Sequence, residues 1–274
     1  MLIRAGYEIE LECQSETPLM ALLSVHPSRA ADLRTPAILT SSGRAPLHAG
    51  LDEFGNLRTR TVAPAGRLKL ATEFAIADSG LPDEVALWAE EVPVPALPEE
   101  AMGFLLGSRY CETDRLSELA WATFGQTPRG WRRVQAIVEY VHRHLTFGYQ
   151  FARATRTAFE GHQERVGVCR DFAHLAIALC RCMNIPARYA TGYLGDIGVP
   201  PVAAPMDFSA WFEVYLSGRW FTFDARHNKP RIGRILMARG RDAADCALTT
   251  SFGQSTLVSF KVITEEVRRV STAA

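Results

Sequence analysis

A cysteine at the predicted start of a helix is the residue in this sequence best placed for nucleophilic chemistry. Cys169 follows Gly167 and Val168 in the stretch GVCRDFAHLA. Phe172 and Leu175 begin an apolar run with helical spacing, which predicts a helix with one buried face. Unpaired backbone N–H groups and the positive end of the helix dipole favour an anion at such a position. We therefore predict that Cys169 is a nucleophile and that its pKa is below that of a free thiol.

A buried structural role is the alternative for every cysteine of the chain, because free cysteine is among the most buried residue types. We predict that role for Cys180 and Cys182, which lie well inside the same helix. The six cysteines are scattered, and none shows the paired spacing of a zinc site. The sequence therefore predicts no metal, no cofactor and no disulfide framework.

Two aromatic strands further along the chain predict where the partners of Cys169 should lie. The segment SAWFEVYLSGRWFTFDAR is typical of a hairpin with a tight turn at Ser217–Gly218. Counting back from the turn places Trp211 opposite Asp224 and makes Ser209 a diagonal neighbour of Asp224 on one face. A histidine at position 209, held by Asp224, would complete a Cys-His-Asp arrangement, but the residue there is serine.

These two segments resemble the transglutaminase-like superfamily of bacterial cysteine peptidases. The resemblance is carried by GVCRDFAHLAIALCRCMNIPARYATGYL and by DFSAWFEVYLSGRWFTFDAR. It implies a papain-like triad on an α+β core, with Cys169 as the nucleophile and Asp224 as the residue that orients the base. The usual His-Ala-Trp of the family stands here as Ser209-Ala210-Trp211, so the base is missing from its expected place.

His227 is the candidate for a substitute base that lies nearest to Asp224 in the sequence. A strand that ran on regularly would project residue 227 to the face opposite Asp224. A bulge or a strand end before residue 227 would remove this objection. The other histidines considered near the site, each predicted to be structural, are His142, His144, His162 and His174.

Two functions stay open at this point. The first is a cysteine hydrolase, a peptidase or amidase, that cleaves an amide or related acyl bond through a Cys169 thioester. The second is a catalytically degenerate module that keeps the cleft and binds a peptide, because losing a general base costs about 10²–10⁴-fold in rate. A purely structural module would leave the helix-start cysteine unexplained. In both of the first two cases the expected partner is a peptide or protein-like acyl molecule.

The rest of the chain predicts the elements that position these residues. Residues 3–13 alternate between apolar and polar, and together with later strand patterns they predict a small all-β domain over residues 1–92. A proline-rich linker is predicted over residues 93–100. Helical patterns followed by strands predict an α+β, transglutaminase-like core over residues 101–274, with a long loop at residues 194–208.

Composition narrows the range of partners and compartments. Thirty basic and thirty acidic residues cancel in this chain of 274 residues, so no overall charge favours a nucleic acid or a membrane. No apolar run approaches the roughly 20 residues needed to span a bilayer. The N-terminus lacks the basic and apolar blocks of a signal peptide. We expect a cytoplasmic protein with reduced thiols and with no nucleic-acid or membrane partner; the oligomeric state stays open.

Overall fold

The computed structural model describes residues 1–42, 45–202 and 206–267, so residues 203–205 of the predicted loop and 268–274 of the predicted core lie outside the described residues. The strands are β1 (Leu2–Cys13), β2 (Thr17–Ala21), β3 (Thr40–Ser41), β4 (His48–Leu51), β5 (Leu57–Ala63), β6 (Gly66–Ala77), β7 (Thr146–Phe147), β8 (Val166–Gly167), β9 (Ala187–Tyr193), β10 (Ser209–Leu216), β11 (Arg219–Phe223), β12 (Ile235–Gly240), β13 (Thr249–Ser251) and β14 (Ser255–Glu266). The helices are α1 (Glu99–Met102), α2 (Thr113–Phe124), α3 (Trp131–His144), α4 (Ala158–Glu164) and α5 (Cys169–Cys182). Short 3₁₀ helices cover Pro27–Asp32, Val94–Ala96 and Tyr149–Phe151.

Two antiparallel sheets form the N-terminal part of the fold. Their strand orders are β14-β1-β6-β3 and β13-β2-β5-β4. The predicted alternation of the first strand is confirmed, because Ile3, Tyr7 and Leu11 are buried while Glu8 and Glu12 are exposed. The all-β character predicted for the N-terminal region is confirmed in the same way.

The last two strands return to these N-terminal sheets. β14 pairs with β1 from Glu266 opposite Ile3 to Ser255 opposite Cys13, and β13 pairs with β2. The predicted core range of residues 101–274 therefore includes two strands that complete the first sheets. Apolar alternation predicts a strand near residues 256–263, but it does not specify which sheet accepts that strand. The predicted boundaries at residues 92 and 100 stay predictions.

The C-terminal part of the fold is built around α5, as expected for an α+β, papain- or transglutaminase-like core. α5 packs against β9 and β10 of the sheet β11-β10-β9-β12 and is surrounded by α2, α3 and α4. All twelve residues from Asp171 to Cys182 are buried. The predicted hairpin register is confirmed from Leu216 opposite Arg219 to Phe212 opposite Phe223. The predicted pair of Trp211 with Asp224 is not formed, because β11 ends at Phe223. β12 was not predicted from the sequence.

The N-terminal and C-terminal parts of the fold pack against each other near the start of β10. Tyr193 at the end of β9 contacts Phe74 of β6 edge to face, with ring centroids 5.6 Å apart. Phe208, directly before β10, contacts both Tyr193 and Tyr7, at 4.9 and 5.8 Å. Edge-to-face aromatic pairs add specific geometry to apolar burial. This packing fixes where β10 begins and therefore where Ser209 lies.

Candidate active site

The first turn of α5 is held by a buried carboxylate. The carboxylate of Asp171 accepts the backbone N–H of Val168 at 2.9 Å and pairs with the Arg156 guanidinium at 3.0 Å. A Cβ atom on Gly167 would lie 2.6 Å from the Cβ of Asp171, so glycine is required there by close approach. Cys169 is the first residue of this anchored helix and is partly buried.

The thiol of Cys169 is less acidic than the helix-start argument predicts. Burial raises its pKa to about 11, although the charge of Arg226 and a backbone hydrogen bond from Ala210 act in the opposite direction. The prediction of a lowered pKa is therefore wrong for the free protein. Its physical reason is that the loss of hydration around the sulfur outweighs the favourable local charges.

Asp224 and His227 are in direct contact. β11 ends at Phe223, and the chain then turns so that the N–H of Asn228 donates to the carbonyl of Asp224 at 2.8 Å. Within this turn the backbone N–H of His227 donates to Oδ1 of Asp224 at 2.9 Å, and Nδ1 of His227 lies 2.8 Å from Oδ2. The strand end considered in the sequence analysis is thus present. It removes the objection that residue 227 faces away from Asp224.

This contact determines which nitrogen of His227 can accept a proton. Burial alone would raise the pKa of Asp224, but the charge of Arg234 and the hydrogen bonds from His227 together lower it below its ordinary range. An ionised carboxylate only accepts hydrogen bonds, so Nδ1 of His227 carries the proton. Nε2 of the neutral imidazole is then unprotonated, which is the form that a general base requires.

A second carboxylate holds Asp224 in place through Arg234. Nη2 of Arg234 donates to Oδ2 of Asp224 at 2.9 Å, and its Nε contacts both carboxylate oxygens of Asp83 at 3.0 Å. Sequence reasoning missed both residues, since Asp83 lies in the connection that follows β6, 151 positions before Arg234. No residue pattern around either of them indicates such a distant contact.

One cleft brings the sequence-predicted residues together. Cys169, Ser209 and His227 all line a cleft of about 250 Å³, while Asp224 is buried behind His227. The hydroxyl of Ser209 is buried and has no hydrogen-bond partner among the described residues. β11 pairs with β10 only as far as Phe212, which leaves the first residues of β10 without a β11 partner beside the cleft.

Further polar side chains line the same cleft. They include Tyr149, Asp207 and Arg226. Burial raises the pKa of Tyr149, so its hydroxyl is a donor at neutral pH. Arg226 could have been found from the sequence because it directly precedes His227, and residues of one tight turn lie close together.

The other histidines are engaged elsewhere. The ring of His174 accepts the N–H of Ala243 at 3.1 Å, and burial lowers its pKa. His144 bonds to the carbonyl of His162 at 2.7 Å, and the ring of His162 contacts the hydroxyl of Tyr140. His142 contacts the carbonyl of Ala225, so α3 supports the turn that carries His227. These contacts agree with the structural roles expected for all four.

The described ranges contain no group of three or more His, Cys, Asp or Glu side chains placed to hold one metal ion. Within the same ranges, no helix has the length and apolar character required to cross a membrane. The cleft itself presents a thiol, an imidazole and a phenol. These are groups with nucleophilic and acid–base chemistry.

Comparison with known proteins relates the chain to one family. The family model described as "Transglutaminase-like superfamily" matches residues 119–225, a range that includes Cys169, Ser209 and Asp224 and ends two residues before His227. A crystal structure described as that of "a Putative Cysteine Protease from Cytophaga hutchinsonii" is 29% identical, with a TM-score of 0.82 over 99% of this chain and 92% of that chain.

Two further matches cover less of this chain. An uncharacterized protein of Mycobacterium leprae is 36% identical over 89 residues, which is 31% of this chain and 31% of that protein, so the match spans about a third of the curated relative. The periplasmic domain of TgpA from Pseudomonas aeruginosa, bound to ethylmercury, is 15% identical with a TM-score of 0.41, over 81% of this chain and 90% of that chain.

Proposed function

We propose that this chain is a cysteine hydrolase, a peptidase or amidase, because residues 119–225 match the transglutaminase-like superfamily model and the chain is 29% identical to the Cytophaga hutchinsonii protein. In this proposal Cys169 attacks the acyl carbon, and His227 acts as the base in place of the histidine missing at position 209. The observation that carries the proposal is the 2.8 Å contact between Nδ1 of His227 and Asp224, at a cleft that both Cys169 and His227 line.

The reaction proceeds in two half-reactions with balanced proton transfers. Nε2 of His227 takes the thiol proton as Sγ of Cys169 forms a bond to the carbonyl carbon. The tetrahedral intermediate then breaks its C–N bond, and the imidazolium returns the proton to the leaving amine. Water attacks the resulting thioester while His227 again takes a proton. The C–S bond breaks, and the thiol is restored as the carboxylic acid product leaves.

A base is needed because the thiol is protonated in the free protein. Burial raises the pKa of the Cys169 thiol to about 11, so the protonated form predominates at neutral pH. Asp224 stabilises the imidazolium that forms on His227, since the carboxylate stays ionised beside Arg234. First-turn N–H groups of α5 and the Tyr149 hydroxyl are the donors that can stabilise the oxyanion.

A second candidate is the catalytically degenerate module that binds a peptide without efficient turnover. Ser209 in place of the usual histidine and the raised pKa of the Cys169 thiol favour this alternative. The substrate in either case is a peptide or protein-like acyl molecule, as expected for relatives of this fold. A cytoplasmic location stays our expectation, because a free catalytic thiol persists in a reducing compartment.

Intact-protein mass spectrometry distinguishes the two candidates. We would incubate the protein with a panel of peptide thioesters and look for the mass of the acyl group on Cys169. The hydrolase predicts a transient acyl adduct, which is absent in Cys169→Ala and retained in the matched control Cys182→Ala, whose buried thiol contacts the carbonyl of Thr113. Peptide binding without an adduct on any panel member would support the degenerate module instead.

A further inference from the structure

The cleft around Cys169 carries more positive than negative groups, although the whole chain is neutral. Arg226, Lys229 and Arg231 line it, against the carboxylates of Asp196 and Asp207. Across the sequence, thirty basic and thirty acidic residues cancel. Clefts lined by one sign of charge concentrate the opposite charge, because low-dielectric walls focus the field. The local excess of positive charge therefore affects which substrates enter the cleft.

Both carboxylates of the cleft are engaged by neighbouring groups. The Asp196 carboxylate accepts the N–H of Val202 at 2.8 Å and lies 3.8 Å from Nη2 of Arg231. The Asp207 carboxylate accepts the N–H of Phe208 at 2.6 Å, and burial raises its pKa. Three basic side chains line the cleft against these two carboxylates, so the carboxylates do not cancel all of its positive charge.

The three cationic side chains have N–H donors that are free to bind a ligand. The guanidinium of Arg226 lies 3.8 Å over the ring of Phe147 and forms no ion pair with any described carboxylate. Lys229 is exposed and is likewise without an ion pair within the described part of the chain. Arg231 is 4% exposed, its Nη2 donates to the carbonyl of Gly195, and its buried Nε has no partner among the residues described.

The position of Arg226 relative to the chemistry is fixed by the fold. The turn that follows β11 carries both Arg226 and His227, and His227 is tied to Asp224 by two hydrogen bonds. Arg226 also lies near enough to Cys169 for its charge to act on the thiol. A carboxylate bound by this guanidinium would therefore lie close to the reacting carbonyl. Guanidinium groups bind carboxylates through two parallel hydrogen bonds, which adds orientation to affinity.

We propose that the cleft selects acyl substrates that carry a carboxylate next to the reacting carbonyl, with Arg226 as the anchor and Lys229 and Arg231 adding to the attraction. The substrate class is an acidic peptide or a similar anionic acyl compound. This inference rests on the proposed hydrolase for its chemistry, but the binding preference is a property of the cleft alone.

Equilibrium binding to Cys169→Ala tests the preference without turnover. The probes are two N-acetylated pentapeptides of alanine and glycine that differ only in a central Glu or Gln, measured by calorimetry. The Glu peptide is expected to bind at least about tenfold more tightly, because a hydrogen bond to a charged group contributes that much or more. The preference should shrink as salt is raised from about 0.05 to about 0.5 M. Equal affinities, or no measurable binding of the Glu peptide, would overturn the proposal.

A matched pair of arginine substitutions assigns the preference to the cleft. In the Cys169→Ala background, Arg226→Gln should reduce the Glu-to-Gln affinity ratio to within about threefold of one, whereas Arg143→Gln, at a side chain 80% exposed on α3, should leave the ratio intact. An unchanged ratio in Arg226→Gln would overturn the proposal. Turnover of both thioester forms by the wild type with no Glu preference would also overturn it, while leaving the hydrolase proposal standing.

Discussion

Replacing Asp224 by asparagine keeps the shape of the side chain and removes its charge. In the structure Oδ1 accepts the backbone N–H of His227, while Oδ2 accepts both Nδ1–H of His227 and Nη2–H of Arg234. An amide offers one acceptor oxygen and one donor nitrogen. Either orientation of the new amide in Asp224→Asn therefore places a donor against a donor. In one orientation the –NH₂ group faces Nδ1 of His227 and favours the tautomer whose Nε2 is already protonated.

The expected loss follows from these two orientations. If the correct tautomer survives, the loss is that of imidazolium stabilisation and of an efficient general base, about 10²-fold or more. If the wrong tautomer forms, the loss approaches the roughly 10⁴-fold known for the same substitution in serine-protease triads. One charge-assisted hydrogen bond from Arg234 is weakened as well, which lowers the free energy of unfolding by about 1.5–3 kcal/mol.

The assay is hydrolysis of a peptide thioester under single-turnover conditions, with urea unfolding measured on the same preparations. Asp83→Asn is the matched control, because Asp83 also binds Arg234 but makes no contact with His227. We expect Asp83→Asn to lose stability to a similar extent and to retain at least about tenfold more activity than Asp224→Asn. Equal activity in wild type and Asp224→Asn would refute the reasoning, because it would show that the contact with His227 has no part in the chemistry.

His227→Gln should lose about 10²–10⁴-fold in acylation rate, and the double variant with Ser209→His should recover at least about tenfold of it, because both positions line one cleft; no recovery in a folded double variant would contradict the assigned register. Iodoacetamide labelling of Cys169 should have a midpoint above the free-thiol value of about 8.5, because burial raises this pKa to about 11; a midpoint below that free-thiol value, measured by peptide mass spectrometry from about pH 6 to about pH 12, would contradict it. Asp171→Ala should reduce stability in urea by about 1.5–3 kcal/mol, since it removes a charged hydrogen-bond partner of the buried Arg156, which keeps Glu164; a loss below about 1 kcal/mol would contradict that role.

Local patterns predicted the elements that carry the site. The helix of Cys169 and the hairpin register around Ser217–Gly218 follow from spacing over a few residues, and both are confirmed. The turn works as predicted because Ser217 and Gly218 both have positive φ, at 44° and 83°, as a type I′ hairpin requires. Such signals are readable because the deciding interactions lie within one element or between neighbours in sequence.

Strand ends and tertiary packing could not be determined from the sequence. The contact between His227 and Asp224 depends on the strand ending at Phe223, where no glycine or proline marks the end. Asn228, at φ 48°, and Pro230 are the nearby residues that could have indicated a turn. The role of Arg234 depends on a carboxylate from a distant segment. The pKa of Cys169 was predicted in the wrong direction because helix-end charge is local, whereas burial is set by the whole fold.

The rate of Cys169 acylation in two single variants tests the central claim most directly. Rapid-quench mass spectrometry with one peptide thioester would compare the wild type with His227→Gln and Ser209→Ala. The account predicts that His227→Gln is slowed by about 10²-fold or more, whereas Ser209→Ala stays within about threefold of the wild type. Equal acylation rates in His227→Gln and the wild type would contradict the account, because His227 would then not be the base for Cys169.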